Sequence, residues 1–338
     1  MEFLYEYGVF FAKAVTIVVA IIVIIASIAA QAAKQKPGKG HLSINSKSES
    51  LDELSRYAQE TLLSKDQLKA HKKAEKKALK EREKAAEEKA NLFVLDFKGS
   101  MDAHEVEGLR EEITAILTVA TDKDEVLVKV ESGGGVVHGY GLAASQLQRI
   151  KDKGIKLTIA VDKVAASGGY MMACVADIII ASRFAIIGSI GVIAQLPNFN
   201  KILKKNDIDF EQHTAGEYKR TLTMFGENND AGREKFREEL EDVHVMFKEF
   251  VQRHRPELDI NKVATGEYWY GERALDLGLI DTIQTSDDFV LEANKSHKVY
   301  TVSYETKKTM AEKLGFGFAS AVERTFMRIW ERSQSLFK

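Results

Sequence analysis

The sequence predicts an α/β protein with a largely parallel sheet, on three observations. Short strand-like apolar runs alternate with helical stretches, which is the spacing of parallel strands joined by crossover helices. Apolar residues make up 45% of the 338, enough to bury a sizeable core. Two of the predicted strands are followed by glycine-rich turns.

The elements follow in order from residue 91. Leu92–Phe97 (LFVLDF) reads as a strand, 104–120 as a helix, and Glu125–Val130 (EVLVKV) as the second strand. A helix over 140–153, a strand at Leu157–Val161 (LTIAV), a short helix over 168–175 and a strand at Asp177–Ala181 (DIIIA) continue the alternation. A long amphipathic helix is predicted from Asn229 to Arg255, stopped by Pro256.

Four segments are expected. Residues 1–33 read as a transmembrane anchor: no charge falls between Ala14 and Ala30, and a span needs roughly 20 mostly apolar residues. A cleaved signal peptide would open on a basic segment, whereas Glu2 and Glu6 lead here. Residues 34–90 read as a Gly/Ser/Lys linker and a charged helical spacer, 91–300 as the catalytic domain. Residues 301–338 form an amphipathic tail that mixes Phe and Trp with Arg.

The 48 Lys and Arg nearly balance the 50 Asp and Glu, and no groove-reading motif is present, so nucleic acid is not an expected partner. The single cysteine, Cys174, lies in an apolar run and excludes an internal disulfide and a CxxC metal site.

Two turns carry chemistry. Glu131-Ser132-Gly133-Gly134-Gly135 follows a strand, and its backbone amides suit an oxyanion or a phosphate. The lysine of a phosphate loop is missing, which disfavours nucleotide. Ala165-Ala166-Ser167-Gly168-Gly169 joins a strand to an apolar helix, so Ser167 reads either as an exposed nucleophile or as a helix N-cap. A nucleophilic serine needs a base. His138 and His213 are placed to be considered, and a lysine serves if burial keeps its amine neutral.

The segments VAASGGY, Gly188-Ser189-Ile190-Gly191-Val192, Glu217-Tyr218-Lys219-Arg220 and GEYWYGERALDLGLID (Gly266 to Asp281) resemble the signal peptide peptidase A family of serine-lysine peptidases. The resemblance implies a Clp/crotonase-like spiral of strand-strand-helix repeats. It makes Ser167 the nucleophile, Lys219 the general base and Ser189 a hydroxyl that orients the amine. Gly134 and Gly168 become the oxyanion donors, although a proline common in relatives beside that loop is absent here. No cofactor or metal is implied. The implied substrates are membrane-derived peptides such as signal peptide remnants, cut by a ring-shaped homo-oligomer on a bacterial inner membrane. Orientation is divided: the resemblance implies the periplasmic face, whereas Lys34, Lys36, Lys39 and Lys47 behind the apolar segment point to the cytoplasm. Two rival classes are an inactive scaffold on a peptidase fold and a crotonase-type acyl-CoA enzyme, which would use acidic residues in place of Ser167 and Lys219.

Overall fold

Six consecutive strands of the main sheet run parallel, because the chain returns through a crossover after each one. The structure is a computed structural model that describes residues 40–73 and 89–305, with isolated positions at 8–9, 13 and 15–16. The chain divides into two units, residues 42–303 and residues 1–41 with 304–338. The expected anchor and amphipathic tail lie almost wholly outside the described residues, among which no helix is long and apolar enough to cross a membrane.

The seven-stranded sheet has the order β1-β10-β2-β3-β4-β6-β9. Its members are β1 (His41–Ser46), β2 (Asn91–Lys98), β3 (Glu125–Glu131), β4 (Lys156–Val161), β6 (Ile178–Ala181), β9 (Thr282–Ile283) and β10 (Lys298–Glu305). A second sheet, ordered β5-β7-β8, holds β5 (Val164–Ala166), β7 (Ile186–Gly188) and β8 (Tyr268–Tyr270). Thus β4 and β6 are each followed by a short strand of the small sheet, and this offset brings the loops of both sheets together.

Strands of the main sheet are apolar on both faces, as parallel strands covered by helices require. In β2, Phe93, Leu95 and Phe97 join the larger core, while Leu92 and Val94 join a smaller one with Val290 and Val299. Helices Val106–Val119 and Val137–Asp152 cover the first face through Leu109, Ile113, Ile116, Leu147 and Ile150. Helix Gly168–Ala173 is buried along its whole length, so its first residue is fixed by packing on all sides. Cys174 behind it is fully buried, and that burial pushes its thiol up in pKa, as expected of an inert core cysteine.

The elements predicted between residues 91 and 181 are present to within a few residues at each end, and the long helix spans Asp230–His254. Residues expected as linker include β1, which lies beside β10 at the sheet edge. Helix Lys47–Leu62 follows, with Ser46 Oγ capping it by accepting from the Glu49 N–H.

Candidate active site

Strands β5 and β7 pair in parallel with Ala166 opposite Gly188, and the next residue on each strand is a serine. Ser167 N–H donates to Gly188 O at 2.8 Å, which locks the two strand ends at one level. Ser189 N–H donates to Glu267 O at 2.7 Å, tying the same place to the segment entering β8. Both serines have φ of 51°, a region that L-residues other than glycine seldom occupy. For Ser167, ψ is −119°, so the chain turns sharply from strand into helix. Such conformations cost about 1–3 kcal/mol each and persist where surrounding structure imposes them, frequently at functional sites. The alternative reading of Ser167 as a hydroxyl N-cap fails, since its side chain makes no capping hydrogen bond.

The triple-glycine turn lies against this serine. Ser132 forms a bridge to Ala165, its N–H donating to Val164 O and its carbonyl accepting from Ala166 N–H. The turn thereby reaches the start of the buried helix. Gly134 has φ of 88°, and a Cβ there would stand 2.7 Å from Ser167 Cβ and 2.8 Å from the Gly168 nitrogen. A Cβ on Gly168 would stand 2.4 Å from the ring of Tyr140. Both positions therefore require glycine, Gly134 because the serine and the backbone beside it leave no room and Gly168 because the Tyr140 ring does not. The Gly168 N–H has no protein acceptor among the described residues, whereas Gly134 N–H donates to Ser132 Oγ at 3.0 Å.

Ser167, Ser189, Gly133, Gly134 and Gly168 line one cavity of about 640 Å³. Its other wall is apolar and comes from Met171, Val192, Ile193, Val243 and Phe247, with His244 among them. A cavity with one apolar wall beside a strained serine and the free Gly168 amide is suited to holding a substrate carbonyl for attack.

The predicted residues are not all brought together. Lys219 does not line this cavity; it stands in a segment, 204–220, that is exposed throughout, its N–H donating to Gly216 O at 3.2 Å. No residue from Gly191 to Met246 is buried, so nothing in the core holds that segment against the serine. The two histidines considered as bases are also elsewhere. His138 is exposed and outside the cavity, and the His213 side chain is 89% exposed. His244, which sequence reasoning did not single out, is the histidine that lines the cavity. Its signal was present: Leu240, Val243, His244, Phe247 and Val251 follow helical spacing, so His244 occupies an apolar stripe.

The chain matches the N-terminal part of peptidase family S49 over residues 2–147 and the main peptidase family S49 domain over residues 149–300. It is 49% identical to the probable protease SohB of Haemophilus influenzae over 93% of this chain and 92% of that one. It is 50% identical to the probable protease SohB of Buchnera aphidicola subsp. Schlechtendalia chinensis, over 86% of this chain and 99% of that one. Among solved structures, the 1510-N membrane-bound stomatin-specific protease bound to a substrate peptide aligns with a TM-score of 0.42 and 15% identity. That alignment covers 67% of this chain and 96% of that one. With matches that together span nearly all of residues 2–300 and relatives at about half identity over most of its length, the chain belongs to peptidase family S49.

Proposed function

We propose that the chain is a membrane-anchored serine endopeptidase in which Ser167 attacks the substrate carbonyl and Lys219 takes its proton. The observation that carries the reading is the conformation of Ser167: strained, half-buried, at the start of a helix and facing the cavity beside Gly134. Ser167 Oγ adds to the carbonyl carbon as its proton passes to the lysine amine. The Gly168 amide then receives the oxyanion, joined by Gly134 once its N–H exchanges Ser132 Oγ for the new anion. Collapse releases the protonated amine product and leaves an acyl-enzyme, which water hydrolyses with the same lysine as base. Ser189 orients the amine from the level of Ser167. Alternating long and short strands followed by helices are in keeping with a Clp/crotonase-like spiral.

A lysine acts as a base only when desolvated, so the reading needs residues 192–229 to be covered. Their surface supports a ring-shaped homo-oligomer in which that covering occurs. Ile193, Phe199, Ile202, Phe210, Met224 and Phe225 are all exposed large apolar side chains, a patch that an isolated soluble surface seldom carries. The apolar run of residues 14–30 supports a membrane anchor, and the apolar cavity wall suits peptides derived from membrane segments, such as signal peptide remnants. Purified, detergent-solubilised protein tested on apolar fluorogenic peptides should hydrolyse them. Turnover retained by Ser167→Ala would exclude the assignment.

A further inference from the structure

Tyr140, on the helix Val137–Asp152, is fully buried and reaches both glycine turns of the site without lining the cavity. Its ring fills the space beside Gly168, where an added Cβ would stand 2.4 Å from Tyr140 Cγ. Its hydroxyl lies in a chain of hydrogen bonds that ends on the other turn. Tyr140 Oη donates to Ser100 O at 2.8 Å and is also hydrogen-bonded to Ser132 Oγ. A carbonyl only accepts, so the one phenol proton is committed to Ser100, and the Ser132 hydroxyl donates to Tyr140 Oη. The alternative acceptor for Ser132, Gly99 O, stands at 3.5 Å, too far to compete. Ser132 Oγ in turn accepts from Gly134 N–H at 3.0 Å. The chain therefore runs one way, from the Gly134 amide through two hydroxyls to the carbonyl of Ser100, the residue before the cavity-lining Met101. Gly99 makes room for it, since a Cβ there would stand 2.5 Å from Tyr140 Oη and 3.0 Å from Ser132 Oγ. Burial, the largest influence, raises the pKa of the phenol, so the hydroxyl keeps its proton.

We propose that Tyr140 is a positioning residue for the oxyanion site, its ring setting Gly168 and its hydroxyl, through Ser132, setting Gly134; this rests on the peptidase reading above, in which those two amides receive the oxyanion. Two amides from different turns act on one oxygen only if their separation is fixed in advance. A single rigid side chain in contact with both turns supplies that constraint from outside the cavity. When Gly134 N–H passes from Ser132 Oγ to the anion, the Ser132 hydroxyl remains held by Tyr140, so one acceptor is exchanged while the turn stays in place. Without the phenol oxygen, Ser132 keeps only the distant Gly99 carbonyl, and the turn relaxes away from the serine.

The test is steady-state hydrolysis of an apolar fluorogenic peptide by the full-length solubilised protein, as wild type, Tyr140→Phe, Ser132→Ala and the double variant, each at a temperature where melting curves show it folded. Tyr140→Phe keeps the ring against Gly168 and should lower kcat by roughly tenfold, with KM unchanged. Ser132→Ala should do the same, and the double variant should lose no more than the worse single one, because both substitutions cut one chain. Tyr170→Phe is the control: that buried hydroxyl also donates to a backbone carbonyl, Leu279 O at 2.9 Å, and its loss should lower the melting temperature and leave kcat alone. Wild-type kcat in Tyr140→Phe overturns the proposal, as does a loss carried by KM, or losses that multiply in the double variant. An equal fall of kcat in Tyr170→Phe overturns it too, since any lost core hydroxyl would then act alike. Should Tyr140→Phe not fold, Ser132→Ala decides alone, and wild-type kcat there overturns the proposal. Failure of wild type to hydrolyse any peptide would sink the peptidase reading and this proposal with it, whereas hydrolysis indifferent to Tyr140 and Ser132 sinks only the positioning role.

Discussion

Ser167 and Ser189 stand at the ends of two paired parallel strands, one residue beyond the Ala166–Gly188 pair, and share a φ of 51°. The main chain thus sets the spacing of the two hydroxyls before any side-chain contact does. Ser167→Ala should lower kcat by at least about a thousandfold, the scale of removing a nucleophile. Ser189→Ala should lower it by on the order of tenfold, as loss of one orienting hydrogen bond would. Equal losses in the two variants would remove the distinction between attacking and orienting serines.

The strain at Ser167 has a separate consequence. Ser167→Gly should unfold at a higher temperature than Ser167→Ala, by about 1 kcal/mol, because glycine adopts positive φ without steric cost. Differential scanning calorimetry of the two inactive variants reads this directly, and identical melting would place the strain elsewhere.

Gly134→Ala should reduce kcat by about 10²–10³-fold, the usual effect of losing an oxyanion donor. Its Cβ would meet both Ser167 Cβ and the Gly168 nitrogen, so the nucleophile itself must shift. Gly154→Ala, also at positive φ but with open space around it, serves as the control. It should lose stability and keep its rate per folded molecule.

Arg255 and Asp281 hold the C-terminal end of the long helix against the main sheet. Arg255 donates from Nη1 and Nη2 to the two carboxylate oxygens at 2.9 and 2.7 Å, and Asp281 also accepts from Ile179 N–H. Burial is the largest single influence and would raise the carboxyl pKa, but the Arg255 hydrogen bonds, the Ile179 N–H and the Arg255 charge together outweigh it and hold Asp281 below the ordinary value. A lowered carboxylate pKa stabilises the fold above its unfolded value, and the gain is lost as pH falls. Asp281→Ala should therefore cost about 2–3 kcal/mol at neutral pH, below the full range for a buried pair because the carboxylate is partly exposed. Its deficit against wild type should narrow in acid, as read by urea denaturation across pH.

The loop that carries Met101 into the cavity has an ion pair of opposite sign in its pH response. A hydrogen bond to Asp102 raises the pKa of His104, while His104 and then Ser100 hold Asp102 down at about 2. A raised histidine stabilises the fold below its unfolded value, and that contribution fades as pH rises through the folded one. His104→Gln should thus melt below wild type at about pH 5 and together with it at about pH 9. The gap should be small, on the order of a degree, since both side chains are exposed.

Four central strands of the main sheet, β2, β3, β4 and β6, were legible in the sequence because they are continuous apolar runs between turn signals, as in LFVLDF and DIIIA, whereas β1 was read as linker and β9 and β10 were not read as strands. The small sheet was not. Strands β5, β7 and β8 have three residues each, too short to show a period, yet β5 and β7 position both serines. Gly134 and Gly168 were visible as glycine-rich turns, and the structure supplies the reason, since a Cβ at either would collide with the site. His244 was not singled out because charged neighbours mask an apolar stripe that its own spacing completes. The partnership of Lys219 with Ser167 came from resemblance alone, and the exposed segment 204–220 does not bring the two together in the single chain.

That partnership is tested most directly by covalent labelling with a serine-reactive active-site probe, mapped by mass spectrometry on wild type, Ser167→Ala and Lys219→Arg. The account predicts a single labelled residue, Ser167, with a labelling rate that rises with pH. No label should form in Lys219→Arg, whose guanidinium stays protonated and cannot accept the serine proton. A label on another residue, or Ser167 labelled at the wild-type rate in Lys219→Arg, would contradict the serine-lysine mechanism.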